Sequence, residues 1–507
     1  MLITKNYFEK YTDSETFSKL TIKKTIPLFL DEIKKNYSEK IAVGSANKNI
    51  TYKELISDIK KTNKVLLNEQ IPFKSNVGVI CNNNYDFVKT ALGVMAYGAC
   101  ATLLPVQLDD KTIFGCSIKY NLTCLFYEKS ISEKIEFAKK MAPNVKFIEI
   151  SEYNVEEADF NYNIVETDPA CIVLTGGTTG KSKGAILSHK AVMTGTLNGT
   201  YGIKEVFNDI YYSIMPLTHV FGLIRNLLTS LYTGSSIYFC LDKRTMFKEI
   251  KEVKPTILIV VPALAEIFLN LTKQFGLGFL GGNLRTIICG GASVPPYLVE
   301  EFPKFGVTLL PGYGLTETAN LVSGNPEGLN KPTSVGLLYP NQEIKIVEGE
   351  LWLKGDNLLD AYYNEPEENK LAFEDGWFKT GDLVRLDDDG FLYITGRIKD
   401  IIVLSNGENV SPAYIEDKIN SLDIIQDSLV TLEINEFGAE ILQAEVILRP
   451  AIVNTLGITD LQSYVEGLIH EVNKTLFDYE QISKVVIRTT DFPRSPSMKI
   501  IRPRKAI

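Results

Sequence analysis

Short apolar runs alternate with helix-like segments from the N-terminal region to about Gly314, and this alternation constrains the fold more than any other feature. Val77-Gly78-Val79-Ile80-Cys81 leads through Asn82-Asn83-Asn84 into a helical pattern over 87–92. The runs 257–261 and 286–289 are further interior-strand candidates, and Thr51 with Glu54 three residues on marks a helix start. Strands separated by helices imply a mainly parallel sheet covered on both faces. After about residue 330 the character changes. Segments 342–347, 350–354, 383–386 and 391–395 are short and separated by turn residues, with Asp388-Asp389-Gly390 a hairpin turn. Asn406-Gly407 is another turn, and Ser411-Pro412 opens a helix as cap followed by proline. The expected architecture is α/β. A large N-terminal domain over 1–396 comprises parallel α/β sheet subdomains and a β-rich subdomain. The main boundary falls at 397–400, and residues 401–507 form a small α+β C-terminal domain.

Composition excludes several function classes. The formal charge is 53 − 62 = −9 with no long Lys/Arg run, so nucleic acid is not expected as a partner. The strongest apolar run, 257–265, is broken by Pro262 and falls short of the ~20 residues that span a bilayer, so no membrane span is expected. The N-terminus lacks the apolar stretch of a signal peptide. Seven cysteines without a C-x-x-C pair fit reduced thiols in a cytoplasmic protein, and three histidines are too few for a His-rich zinc site.

One stretch carries most of the chemistry. Cys171-Ile172-Val173-Leu174 runs straight into Thr175-Gly176-Gly177-Thr178-Thr179-Gly180-Lys181-Ser182-Lys183-Gly184. Glycines let backbone N–H groups turn toward an anion, hydroxyls add donors, and lysine adds charge. This is a phosphate-cradling composition. Gly180-Lys181-Ser182 could also end a P-loop, which would make the chain an NTPase using Lys181. Thr175, however, stands where that loop needs glycine for its tight turn.

The same loop resembles the Thr-[Ser/Gly]-Gly-Thr-Thr-Gly-x-x-Lys-Gly signature of the adenylate-forming superfamily, which includes acyl- and aryl-CoA synthetases, fatty-acyl-AMP ligases and peptide-synthetase adenylation domains. Further motifs of that superfamily follow in order: Gly290-Gly291-Ala292-Ser293, Gly312-Tyr313-Gly314-Leu315-Thr316-Glu317, Trp377 to Asp382, Gly396-Arg397-Ile398-Lys399-Asp400 and Phe492 to Lys499. The resemblance spans roughly residues 25–505 and is nearest to acyl- or aryl-CoA synthetases. It departs at Ser182, where proline is usual, and at Ala361 and Met498, where glycine is usual.

The resemblance implies roles. ATP would be bound by Thr175, Gly176, Gly177, Thr178, Thr179, Gly180 and Lys183, and by the Gly290, Gly291, Ala292 turn beside adenine. Gly312, Tyr313 and Gly314 would place an aromatic ring on the purine, Thr316 would bond the α-phosphate, and Glu317 would hold Mg²⁺. Asp382 would accept from the ribose hydroxyls, Arg397 would reach ribose or phosphate, and Lys499 would be the catalytic lysine. The boundary at 397–400 would be a hinge centred on Lys399, and the C-terminal domain would be mobile about it; both are implied only by the resemblance. His219, in Pro216-Leu217-Thr218-His219-Val220-Phe221-Gly222, would lie beside the reacting carboxylate. The implied reaction converts a small carboxylic acid and ATP to acyl-AMP and pyrophosphate. Transfer to the thiol of CoA, or to the phosphopantetheine of an acyl or peptidyl carrier protein, then follows. No carboxylate occurs from Ile210 to Gly222 to pair a substrate ammonium, which favours a fatty or aromatic acid over an amino acid. Arg494, Lys499, Arg502, Arg504 and Lys505 form a basic tail that could meet CoA phosphate or an acidic carrier.

Overall fold

The structure is a computed structural model and describes residues 2–3, 21, 23–44, 48–175, 182–201, 207–494 and 500–502. Among the described residues the strands form five sheets. In the first, Pro169–Leu174, Cys100–Leu104, Asn76–Ile80, Leu122–Tyr127 and Lys146–Glu149 lie side by side and parallel. Gly184–Ser188 and Ala361–Tyr362 extend that sheet antiparallel. In the second, a parallel core of Ile41–Gly44, Ser236–Phe239, Ile210–Ser213, Ile257–Val260, Thr286–Cys289 and Thr308–Tyr313 is closed by short antiparallel strands at both edges.

The strand–helix alternation expected from the sequence is therefore present. Its physical cause is visible in the helix Tyr85–Tyr97. Asn84 caps it through Phe87 N–H, Gly98 ends it in the left-handed conformation, and its residues from Phe87 to Tyr97 are buried. A helix apolar all round lies between layers, and this one shares one core with strands of both large sheets, including Val77, Ala101, Ile237 and Ile257. At Tyr52–Asn68 the Thr51 side chain accepts from Glu54 N–H while Glu54 reaches back to Thr51, so the anticipated capping box forms.

The β-rich region is an antiparallel sheet of Gln342–Val347, Glu350–Gly355, Trp377–Leu386, Phe373–Glu374 and Leu392–Arg397. One expectation changes here. The 383–386 segment is only the end of the ten-residue strand Trp377–Leu386. The strand continues through Gly381 because Glu350 Oε1 accepts the Gly381 N–H at 2.8 Å, a side-chain contact that no local pattern encodes. The C-terminal unit packs Ile425–Ile434, Glu440–Leu448 and Ile482–Ile487 against Pro412–Asn420 and Leu461–Asn473 around Ile415, Val430, Ala444, Val465 and Ile469. Ser411 precedes its first helix but does not cap it, because its Oγ donates instead to the Thr395 carbonyl at 2.8 Å. Arg449 Nε donates to Glu266 at 3.0 Å and the guanidinium lies 4.4 Å over the Tyr297 ring, which seats this unit on the large sheets. All seven cysteines are free, and burial pushes the Cys171 thiol up to about 12. Among the described residues no helix is long and apolar enough to cross a membrane.

His189 ties the start of the helix Ile26–Tyr37 to that of His189–Asn198 and makes stability pH-dependent. Its Nδ1 accepts the Ile26 N–H at 3.2 Å inside the core, so the ring is held neutral. Burial lowers its pKa to about 4, against a partial opposing effect of the Asp168 charge. The unfolded chain then binds the extra proton between roughly pH 6.5 and 4, so the contribution is fully present above 6.5 and is lost as pH falls through that window, about 3 kcal/mol in all. Urea midpoints measured from pH 7 to 4 should fall steeply for the wild type. His189→Gln should flatten this window, and an equally steep fall in the variant would remove His189 as the cause.

Candidate active site

The glycine-rich loop leaves the strand Pro169–Leu174 and returns as the antiparallel strand Gly184–Ser188. A P-loop requires a helix whose N-terminus faces the phosphates. An antiparallel strand, not a helix, follows here, so the P-loop reading loses its geometric basis. Thr175 N–H donates to the Lys183 carbonyl at 2.8 Å, and Ser182 Oγ donates to the Thr175 carbonyl at 2.9 Å. The serine found in place of proline thus closes the loop base with a hydrogen bond. Gly176, Gly177, Thr178, Thr179, Gly180 and Lys181 lie outside the described residues.

Lys183 turns toward the β-rich region. Its Nζ donates to Glu368 Oε2 and stands 5.0 Å from the centre of the Tyr362 ring. The hydrogen bond from Lys183 is the main reason the Glu368 carboxyl is held below its ordinary range. Tyr362 donates to Glu317 Oε1 at 2.8 Å. Burial, then the Glu317 charge, pushes this phenol up, so it stays a donor. Four positions before Glu317, Tyr313 donates to Asp382 Oδ2 at 2.5 Å. Burial and the Asp382 charge push the Tyr313 phenol up in the same way. Strand register places Arg397 opposite Asp382, and Arg397 Nε donates to Asp382 Oδ1 at 2.5 Å. Asp382 is only 3% exposed. Sequence segments more than 200 residues apart, from Lys183 to Arg397, are thereby joined by Lys183–Tyr362–Glu317 and Tyr313–Asp382–Arg397 contacts.

Backbone proximity explains the motif glycines. A Cβ on Gly314 would sit 1.5 Å from the Asn320 carbonyl oxygen. One on Gly222 would sit 2.1 Å from the Pro216 carbonyl oxygen. Neither neighbour is a movable side chain, so these turns exclude any larger residue. Thr316 is buried beside Glu317 in the turn Thr316–Thr318. Gly290 and Gly291 end the strand Thr286–Cys289, with Gly290 packed against the Gly312 carbonyl, and Ala292 follows as an exposed residue.

A cavity of about 40 Å³ lies behind this turn, lined among others by Phe221, Arg225, Gly290, Gly291, Tyr313 and Tyr339. Cys289 also lines it, but burial pushes its thiol up, so it is no nucleophile. His219 does not line the cavity. It is half-buried at the start of the turn that carries Phe221, and its Nδ1 accepts the Phe221 N–H at 3.4 Å. Arg225 was not anticipated from sequence. The signal was available: it is the single charge in the run Val220-Phe221-Gly222-Leu223-Ile224-Arg225-Asn226-Leu227-Leu228, which winds as a π-helix over Phe221–Leu228.

Lys399 is exposed in the turn Ile398–Asp400. Lys499 lies outside the described residues; on either side of it, Arg494 pairs with Ile500. The basic tail is less available than the sequence suggested. Arg494 is paired with Asp427 and Asp491, and Arg502 with Glu416, while Arg504 and Lys505 lie outside the described residues.

The AMP-binding enzyme family matches residues 30–363, and the C-terminal domain of such enzymes matches 399–506. This chain belongs to the AMP-binding enzyme family. The protein is similar to 4-coumarate–CoA ligase-like 6 of Arabidopsis thaliana, 31% identical over 470 residues that cover 84% of this chain and 80% of that protein. It is similar also to 2-succinylbenzoate–CoA ligase of Bacillus cereus strain AH820, 25% identical over 501 residues, 94% of this chain and 97% of the relative. The fold is shared with o-succinylbenzoate CoA synthetase from Bacillus subtilis, solved with an acyl-adenylate intermediate (TM-score 0.78, 23% identity, 94% and 97% of the two chains). It is shared with an anthranilate CoA ligase solved with anthranoyl-AMP (TM-score 0.82, 19% identity, 96% and 97%). Its class within the family is that of the AMP-forming acid–CoA ligases.

Proposed function

We propose that the protein activates a compact carboxylic acid with ATP, releasing pyrophosphate, and then transfers the acyl group to the thiol of CoA. The observation that carries this reading is the convergence of Lys183, Glu317, Tyr313, Asp382 and Arg397 around one turn. In the first step a substrate carboxylate attacks the α-phosphorus in line with departing pyrophosphate. Both reactants are anionic, so the site must supply fixed positive charge and donors rather than a general base. Lys183, Arg397, the 175–184 loop, Thr316 and Lys499 are groups of that kind. Asp382 keeps acceptor capacity beyond its bonds to Tyr313 and Arg397, since an ionised carboxylate has about four acceptor sites. It would take the ribose hydroxyls, with Tyr313 and the Gly290–Ala292 turn against adenine.

Glu317 fits Mg²⁺. One of its oxygens is fixed by Tyr362, which orients the carboxylate, and the other suits a hard cation shared with phosphates. Bound there, Mg²⁺ would neutralise phosphate charge. In this reading, residues 397–400 are the hinge about which the C-terminal domain, over 401–507, exchanges the Lys499 face for a thiol-admitting face, with Lys399 absorbing the backbone change. The small cavity and its aromatic walls support an aromatic or short acid over a long chain. Relatives named CoA ligases support CoA as acceptor over a carrier protein.

Purified protein with Mg-ATP and a panel of carboxylic acids should release pyrophosphate, and addition of CoA should give a thioester. ADP release in place of pyrophosphate would overturn the chemistry. Thioester on a phosphopantetheinylated carrier protein but not on CoA would reassign the acceptor alone.

A further inference from the structure

Arg225 is the largest fully buried side chain among the described residues. It is 1% exposed, and Nε and Nη1 have no hydrogen-bond partner. Among the described residues no carboxylate lies within ion-pair distance of it. Its polar neighbour is the phenol of Tyr211, itself without a hydrogen-bond partner, on whose ionisation the guanidinium charge acts. The charge also acts on the buried phenol of Tyr339. Neither phenol offers a negative charge, because burial pushes both up. A guanidinium does not escape by losing its proton. A buried charge of this kind persists where a counter-charge arrives to pair it.

Location says where that counter-charge comes from. Arg225 lines the same cavity as Gly290, Gly291 and Tyr313, the turn that borders the proposed nucleotide position. The other cavity walls are largely apolar or aromatic, including Phe221, Ile288, Leu310 and Leu321, with Asn320 and Asn325 as uncharged amides among them. An acid entering this cavity with its reacting carboxylate toward the nucleotide would direct its far end into a space whose unsatisfied polar atoms are the Arg225 donors.

We propose that the acid activated here carries a second carboxylate, and that Arg225 receives it and selects for it. The inference rests on the acid-activating reading and specifies its substrate class as a compact dicarboxylic acid. Selection follows from physical asymmetry. A monoacid of the same shape leaves the guanidinium buried and unpaired, whereas the diacid brings the counter-ion, so discrimination is far larger than a methylene-sized pocket difference allows.

The test uses the full chain, Mg-ATP and pyrophosphate release. The probes are matched sets: a diacid, its monomethyl ester and the parent monoacid, in an aliphatic series from succinate to pimelate and an aromatic series of carboxyl-substituted benzoates. The wild type should show a kcat/KM for its best diacid about 100-fold or more above that for the matched ester and monoacid. Arg225→Gln should abolish that preference mainly through a raised KM for the diacid, while the monoacid KM stays within about threefold. Arg225→Lys, which keeps the charge, should retain part of the preference and supplies the test if the glutamine variant does not fold. Equal or better use of monoacids by the wild type would overturn the inference and leave acid activation standing. Absence of pyrophosphate with every acid would remove the ligase reading, and the inference with it.

Discussion

Replacing Lys499 by alanine should lower ATP-dependent pyrophosphate release by about 100- to 1000-fold, the loss typical of one preorganised donor to a developing anion. Transfer from supplied acyl-AMP to CoA should stay within about threefold of wild type. The asymmetry follows from when charge accumulates. During adenylation a carboxylate approaches a phosphate that is already anionic, and a lysine ammonium lowers that barrier directly. During thiol transfer charge develops on the tetrahedral oxyanion and the departing AMP, but in the proposed domain exchange the Lys499 face has already left the site, so its ammonium contributes little to that step. The measurement is a pair of half-reactions, pyrophosphate release without CoA and thioester formation from chemically made acyl-AMP. Equal loss in both would reassign Lys499 to folding or to general binding.

The second large effect is expected at Asp382. Its carboxylate is buried and holds both Tyr313 and Arg397, so Asp382→Ala deletes an acceptor and leaves a guanidinium without its partner. Hydrogen bonds to a charged group are worth about 1.5–3 kcal/mol each, so loss of two ribose contacts predicts a fall in kcat/KM for ATP of at least about 100-fold. A purely structural role would give a similar loss, so the deciding readout is nucleotide discrimination. The wild type should disfavour 2′-deoxy- and 3′-deoxy-ATP, whereas Asp382→Ala should use the three nucleotides alike. Discrimination kept in the variant would place the ribose elsewhere. Asp382→Asn keeps the shape and should fall between the two, since an amide accepts more weakly than a carboxylate.

Much of this architecture was legible because it is local. The Thr51–Glu54 capping box, the left-handed Gly98 after Tyr85–Tyr97 and the apolar strands of the two large sheets each depend on residues a few positions apart. The motifs were legible for the same reason, since Gly222 and Gly314 are required by neighbours six residues away. Where long-range contacts decide, sequence pattern fell short. The strand Trp377–Leu386 is long because a glutamate from another strand bonds Gly381. Ser411 does not cap its helix because a carbonyl sixteen positions earlier captures the hydroxyl. Arg494 and Arg502 looked like a free basic tail and are instead held by carboxylates that the fold brings to them.

The order of residue types along the chain was enough to predict layered parallel sheets and to place the chain in the AMP-binding enzyme family. Periodicity and short turns are written in neighbouring residues, and so is the family membership they imply. Tertiary structure alone decided which charges meet. It set Asp382 between Tyr313 and Arg397, turned Lys183 toward Glu368, and buried Arg225 at a cavity where no carboxylate among the described residues lies within ion-pair distance. Burial and distance fix what a charge is worth, and both are properties of the folded chain.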